Sequence, residues 1–178
     1  VPDGIYEIRV VFRDTANNNV ETELSMKVMI NNSIQWVGGT LGGNTVWTSD
    51  KVYVVEETII IPDGVTLFIE PGTIVKFARR KGIIIEDGGI LQAEGSTLAA
   101  IIMTTLSDDS AGGDTNLDGN ATIPVSGDWR GVSVPGSGLL LDNDYTEYRY
   151  IIVTRSGTIA GNVTWRGKFT YHVTGDIT

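Results

Sequence analysis

The densest run of chemically useful side chains is Asp108-Asp109-Ser110-Ala111-Gly112-Gly113-Asp114-Thr115-Asn116-Leu117-Asp118-Gly119. Within it, Asp114-x-Asn116-x-Asp118-Gly119 sets hard oxygen ligands at alternate positions. That spacing turns every second side chain of a tight loop toward one point, and Gly119 lets the backbone fold back. A donor set made only of oxygens suits Ca2+. An EF-hand needs Glu at the twelfth loop position, where this chain has Val125. No helical periodicity flanks the loop either. The segment therefore reads as a calcium loop of another construction. Its candidate ligands are Asp108, Asp109, Asp114, Asn116 and Asp118, with Asp128 and backbone carbonyls available to complete the shell. Crowded so closely along the chain, these groups repel one another unless a cation sits among them. The expected affinity is weak, ~0.1–1 mM, as in extracellular modules. The competing reading is a solvated acidic loop whose Asp and Asn residues serve only its turns.

Other candidates are thinner. Asp142-Asn143-Asp144 is a second acidic turn, too short to hold an ion alone. Arg79-Arg80-Lys81 belongs to a different turn, well ahead of the acidic loop, and reads as an outward turn that discourages edge pairing. A glycosidase needs two carboxylates facing each other across a cleft, and nothing in the order of residues singles out such a pair. Trp36, Trp47, Trp129 and Trp165 would suit a sugar-stacking platform, yet Trp47, Trp129 and Trp165 stand where packed residues are expected. The chain has no Cys, which excludes disulfides, thiolate metal sites and a Cys nucleophile. Its one His, His172, argues against a His-rich zinc site or a Ser-His-Asp triad. Lys and Arg number 13 against 22 Asp and Glu, and this net charge of -9 argues against nucleic acid as a partner. No apolar run approaches the ~18 residues of a membrane span.

The elements that must position these groups are short strands. Gly is abundant, with 22 copies, and mostly punctuates β-branched runs. Thr58-Ile59-Ile60-Ile61 ends at Pro62-Asp63-Gly64, and Val65-Thr66-Leu67-Phe68-Ile69 ends at Glu70-Pro71-Gly72. Thr73 to Phe77, Ile83 to Ile85, Ile90 to Ala93 and Ala100 to Thr104 continue the series, each closed by a turn signal. Apolar residues occupy inward and outward positions alike, as buried parallel ladders require. A stack of coils with outward-projecting turns is therefore preferred to a sandwich of hairpins.

Gly43-Asn44-Thr45-Val46-Trp47, Tyr53-Val54-Val55 and Ile59 return, in one ungapped register, as Gly161-Asn162-Val163-Thr164-Trp165, Tyr171-His172-Val173 and Ile177. The chain stops inside this second copy, so the expectation is a slice of a longer array or the unit of an assembly. The opening residues differ in character. Val1 to Phe12 and Val20 to Ile30 alternate around the Asn-rich turn Asp14-Thr15-Ala16-Asn17-Asn18-Asn19, which predicts a β-hairpin.

Two resemblances follow from these residues. Asp3-Gly4-x-Tyr6-x-Ile8-x-Val10 followed by Asp14-Thr15-Ala16-Asn17-Asn18 resembles the last two strands of bacterial Ig-like domains, with Asn18 where Gly is usual. Ile61-Pro62-Asp63-Gly64-Val65-Thr66-Leu67, Ile69-Glu70-Pro71-Gly72-Thr73, Val75-Lys76-Phe77, Ile90 to Ser96 and Gly127-Asp128-Trp129-Arg130-Gly131-Val132 resemble right-handed parallel β-helix repeats of prokaryotic secreted and cell-surface proteins. The resemblance implies an all-β fold: an Ig-like hairpin over 1–34, then a short right-handed parallel β-helix (a solenoid) over 35–178, its repeat restarting near 157. It implies a secreted or cell-surface setting, and no particular activity, since one scaffold serves lyases, adhesins and stalks. The expected function is a non-catalytic structural or adhesive module, stiffened by Ca2+. Its expected partners are other copies of itself, joined through open β ends into an oligomer or filament, or a surface polysaccharide. The alternative is a carbohydrate-active or polysaccharide-binding β-helix protein.

Overall fold

The computed structural model describes residues 4–13, 21–30, 33–155 and 170–173. The chain divides into two units, Val1–Ser33 and Ile34–Thr178. In the first, β1 (Gly4–Arg13) and β2 (Glu21–Ile30) pair antiparallel from Gly4↔Ile30 to Arg13↔Glu21, the expected hairpin. Ile8 and Met26 face each other across it.

The second unit is a parallel β-helix. Its strands are β3 (Ile34–Thr40), β4 (Thr45–Trp47), β5 (Val52–Ile61), β6 (Thr66–Ile69), β7 (Ile74–Phe77), β8 (Ile83–Ile85), β9 (Ile90–Ala93), β10 (Ile101–Thr105), β11 (Val132–Ser133), β12 (Leu139–Asp142), β13 (Thr146–Tyr148), β14 (Ile152–Arg155) and β15 (Thr170–Val173). Every pairing described in this unit is parallel. One sheet runs β11-β8-β5-β7-β10-β13, with β3 also on β5; a second runs β12-β9-β6-β4. The first half of β5 pairs with β7 and its second half with β8, with exposed Glu56 and Glu57 between. One coil is the stretch of chain from Val52 to its partner Ile74, from Ile59 to Ile83, or from Thr66 to Ile90.

Like residues stack in the interior because each coil repeats the one below. Tyr53, Val75, Met103 and Tyr148 form one buried column, and Ile61 over Ile85 and Leu67 over Leu91 begin two others. Each such side chain contributes about 1.5–3 kcal/mol on leaving water. Trp47 stacks on Tyr53 at 4.7 Å, and Trp129 lies on Phe77 at 4.2 Å with its Nε1 donating to the Arg149 carbonyl at 2.7 Å. These two tryptophans are core, as expected; Trp36 is half exposed. Coils also grip one another at the turns. Asp87 Oδ1 accepts the Ser137 N–H at 2.6 Å and the Ser137 hydroxyl at 3.1 Å. Gly138 fits only without a side chain: a Cβ there would stand 2.5 Å from the Glu86 carbonyl oxygen.

Most of the predicted second copy, including Gly161 to Trp165 and Ile177, lies outside the described residues. What is described keeps the spacing of the first. β14 pairs with β15 as Ile152↔Thr170, and β3 pairs with β5 as Ile34↔Val52, at the same offset along the chain.

Candidate cation-binding loop

The acidic segment is a corner enlarged into a loop. β7 and β10 are in register as Phe77↔Thr105, whereas β8 and β11 are in register as Ile83↔Val132, a much wider offset. Residues 106–131 therefore occupy the corner that 78–82 occupies one coil below. The basic turn and the acidic loop are neighbours. Arg80 donates its N–H to the Asp128 carbonyl at 2.7 Å, and Arg130 donates to the Lys81 carbonyl at 2.8 Å. Arg79-Arg80-Lys81 does sit in a different turn, as expected, but that turn lies directly against the acidic loop. The chain between the two segments completes a coil, so it brings them together.

The loop also departs from the expected outward projection. Its first part folds back over the outer face of β5, β7 and β10. Val54, Lys76 and Thr104 form an outward row on these strands, and all three are fully buried. Ala111 and Thr115 of the loop are buried too. A Cβ on Gly112 would lie 3.0 Å from Val52 and 3.5 Å from Ile74. Lys76 anchors the cover: its Nζ donates to the Gly113 carbonyl at 2.5 Å and to Thr115 Oγ1 at 3.0 Å. Burial pushes its pKa below the usual lysine range, while Asp109, Asp108 and Asp114 pull the other way. Sequence reasoning passed over Lys76 as an ordinary strand residue. The available signal was its place opposite Val54 and Thr104, beside a long insertion.

Asp108 holds the loop's near end. It is buried, with Oδ2 accepting the Thr104 hydroxyl at 2.7 Å and Oδ1 accepting the Ser110 hydroxyl at 2.5 Å. Arg149 Nη1 lies 3.8 Å from it. Burial raises its pKa, but the bonds from Ser110 and Thr104 and the Arg149 charge outweigh that and hold the carboxyl below the usual range.

Beyond it the chain winds tightly. Asp114 accepts the N–H of Asp118 at 3.3 Å and of Gly119 at 2.9 Å. Leu117 and Gly119, both at positive φ, flank Asp118. Asn116 Nδ2 donates to Asp118 Oδ2 at 2.8 Å, as does the Thr122 hydroxyl at 2.5 Å. Asp109, Asp114 and Asp118 each bring one carboxylate oxygen to within 4.8 Å of the others. Three oxygens here are buried without a hydrogen-bond partner: Asp109 Oδ1, Asn116 Oδ1 and Asp118 Oδ1. A buried acceptor left unpaired costs about 1–3 kcal/mol, and more when charged. A donor set of carboxylates and an amide carbonyl fits a hard divalent cation. Of the five candidate ligands, Asp109, Asp114 and Asp118 thus bring carboxylates together, Asn116 is bonded to Asp118 and keeps a buried unpartnered oxygen, and Asp108 serves as an anchor. Asp128 is turned to its own bend, with Oδ2 accepting the Val125 N–H at 2.8 Å. Asp142, in the second acidic turn, accepts the Tyr148 hydroxyl at 2.9 Å.

A shallow cavity of about 390 Å³ opens beside this loop, with Arg79, Asn116, Thr122 and Asp128 in its wall. The family model described as the pectate-lyase-like β-helix domain matches residues 39–140, more than half of the chain. The chain belongs to this family. No curated protein and no solved structure matches it. The pectate-lyase-like match runs from the end of β3 into β12 and so takes in the acidic loop with the coils that carry it. Domains of this kind take structural or carbohydrate-active roles and are often extracellular. Among the described residues no helix is long and apolar enough to cross a membrane.

Proposed function

We propose that this chain is a non-catalytic structural or adhesive module of a secreted or cell-surface protein, an Ig-like hairpin followed by a β-helix whose enlarged corner is stiffened by Ca2+. The observation that carries the reading is the set of three unpartnered buried oxygens on Asp109, Asn116 and Asp118, in the loop that clusters the carboxylates of Asp109, Asp114 and Asp118. Asp109, Asp114, Asn116 and Asp118 would hold the ion. A bound ion would tie Asp109, near the start of the loop, to the turn from Asp114 to Asp118, in a loop that also clasps the outer face of the coils. That is a mechanical role, and it suits a stalk or an adhesive array in which copies of the module are the partners.

The test is thermal unfolding in millimolar Ca2+ or in EDTA. Saturation at 100 times the dissociation constant adds about 2.7 kcal/mol. For a chain of this length that is a rise of roughly 5–11 °C in Tm. Asp114→Ala with Asp118→Ala should abolish the rise. Equal Tm in the two buffers refutes the reading.

One observation favours a second, carbohydrate-active reading. Arg79 and Asn116 front the same cavity, so a cation and a guanidinium would flank an acidic sugar there. Ultraviolet absorbance from unsaturated products, appearing when the chain is mixed with uronate polymers and lost in Arg79→Ala, would establish it.

A further inference from the structure

The buried amino group beneath the acidic loop has a consequence for whatever the loop binds. Lys76 is fully buried, yet it is a member of a strand whose outer face would ordinarily meet water. Its two hydrogen-bond acceptors, the Gly113 carbonyl and Thr115 Oγ1, are both neutral and both lie next to Asp114 in the chain. The charges that act on it are those of Asp109, Asp108 and Asp114. Two of these, Asp109 and Asp114, are also in the cluster proposed to hold a divalent cation. The same two carboxylates thus act on an internal ammonium and belong to the cluster that would hold the cation.

We propose that Lys76 is an internal counter-cation that sets the affinity of the loop for Ca2+, holding the loop folded when the ion is absent and weakening the ion's binding when it is present. The inference rests on the calcium reading above. An ammonium near the site already neutralises part of the field of Asp109 and Asp114, and it repels a second cation. It also fixes Gly113 and Thr115, so the ligand at Asp114 is placed before any ion arrives. A loop of this kind stays shut at low Ca2+ and responds only at high Ca2+. Lys76 is a positioning residue and does not touch the ion.

The experiment is Ca2+ titration by calorimetry on four proteins: wild type, Lys76→Met, Lys76→Gln, and Asp114→Ala with Asp118→Ala. Lys76→Gln keeps a hydrogen-bond donor for Gly113 without the charge, and so separates charge from tethering. Removing the positive charge that acts on Asp109 and Asp114 should tighten binding by at least about tenfold at an effective dielectric constant typical of protein sites. The Tm without Ca2+ should fall in Lys76→Met, and most of that loss should return when Ca2+ is added. A measurement on the wild type alone guards against variants that do not fold. The side-chain ammonium resonance of Lys76, followed by 15N correlation, should shift as Ca2+ saturates. If both neutral variants bind Ca2+ no more tightly than wild type, or if the Lys76 resonance does not move at saturation, the inference is overturned while the calcium reading stands. If wild type binds no Ca2+, or the double Asp variant binds it equally well, the calcium reading fails and the inference falls with it.

Discussion

Trp129 closes the enlarged corner, and replacing it measures how firmly the loop's far end is tied to the coil beneath. Its ring lies parallel to Phe77, with centroids 4.2 Å apart and planes 7° from parallel, and it is 2% exposed. A buried Trp removes roughly 150–250 Å² from water. At about 25 cal/mol per Å² this is an upper figure of about 4–6 kcal/mol. Part of that area is retained by Ala, and the cavity adds a penalty, so Trp129→Ala should cost about 3–5 kcal/mol. Trp129→Phe keeps the stack on Phe77 but loses the bond from Nε1 to the Arg149 carbonyl. It should cost about 1–2 kcal/mol, a lost hydrogen bond with a little apolar area. Urea unfolding followed by far-ultraviolet circular dichroism, with calorimetry as a second probe, reads both. Coincident transitions from the two probes justify a single free energy. In Tm the Ala variant should fall by roughly 6–20 °C. A cost below about 1 kcal/mol for Trp129→Ala, or equal costs for the two variants, would refute the argument that ring stacking between coils fastens this corner.

Gly138→Ala should cost at least about 2 kcal/mol, because its Cβ would meet the Glu86 carbonyl at 2.5 Å and Ile85 Cγ2 at 2.6 Å, whereas Gly42→Ala, with open space around it, should be neutral within about 0.5 kcal/mol; chemical denaturation of the pair checks the contrast. Thr104→Val leaves Asp108 Oδ2 without its buried donor and should lower stability by about 1–3 kcal/mol in the same assay. The Ser137 N–H, and next the Ser137 hydroxyl, hold the Asp87 carboxyl below the ordinary range. Its folded value is depressed, so its contribution is complete above the unfolded pKa of ~3.9 and is lost as pH falls through the folded value. Asp87→Ala should therefore show a shallower loss of stability below about pH 4 than wild type in pH-dependent thermal melts.

Much of the β-helix was legible because its physics is local and repeated. Pro62-Asp63-Gly64 and Glu70-Pro71-Gly72 mark turns by their backbone restrictions, and Ile59 to Ile61 and Ile83 to Ile85 mark strands whose inward residues are buried and whose outward Ile60 and Ile84 are half-buried. The acidic loop was legible by the same logic, since alternate oxygens in Asp114-x-Asn116-x-Asp118 need only local geometry. What did not show was the vertical neighbour. That Arg79 lies beneath the acidic corner depends on counting coils, and the coil from β7 to β10 is longer than those from β5 to β7 and from β5 to β8. Lys76 was missed for a related reason. Alternation told which residues face outward from β7, but not that a segment beyond β10 returns to cover them. Asp108 was grouped with its neighbours in sequence, while Thr104 and Arg149 draw it into the stack.

The corner itself carries a last consequence. After it, β11 pairs with β8 as Val132↔Ile83 and β12 pairs with β9 as Leu139↔Ile90, one and the same offset along the chain. Ahead of it, β10 and β7 pair as Ile102↔Ile74 at a far smaller one. The added chain therefore enters and leaves without shifting the next two strands relative to each other by a single position. The scaffold treats this corner as a socket, and a segment of different length or chemistry could be plugged in while the coils above remain aligned. The socket has one requirement. In the buried Val54–Lys76–Thr104 row, Lys76 and Thr104 are partnered by Gly113, Thr115 and Asp108 of the inserted segment. Any exchanged cassette must bring its own lid for that row, and a bare short turn would need the row rewritten with it.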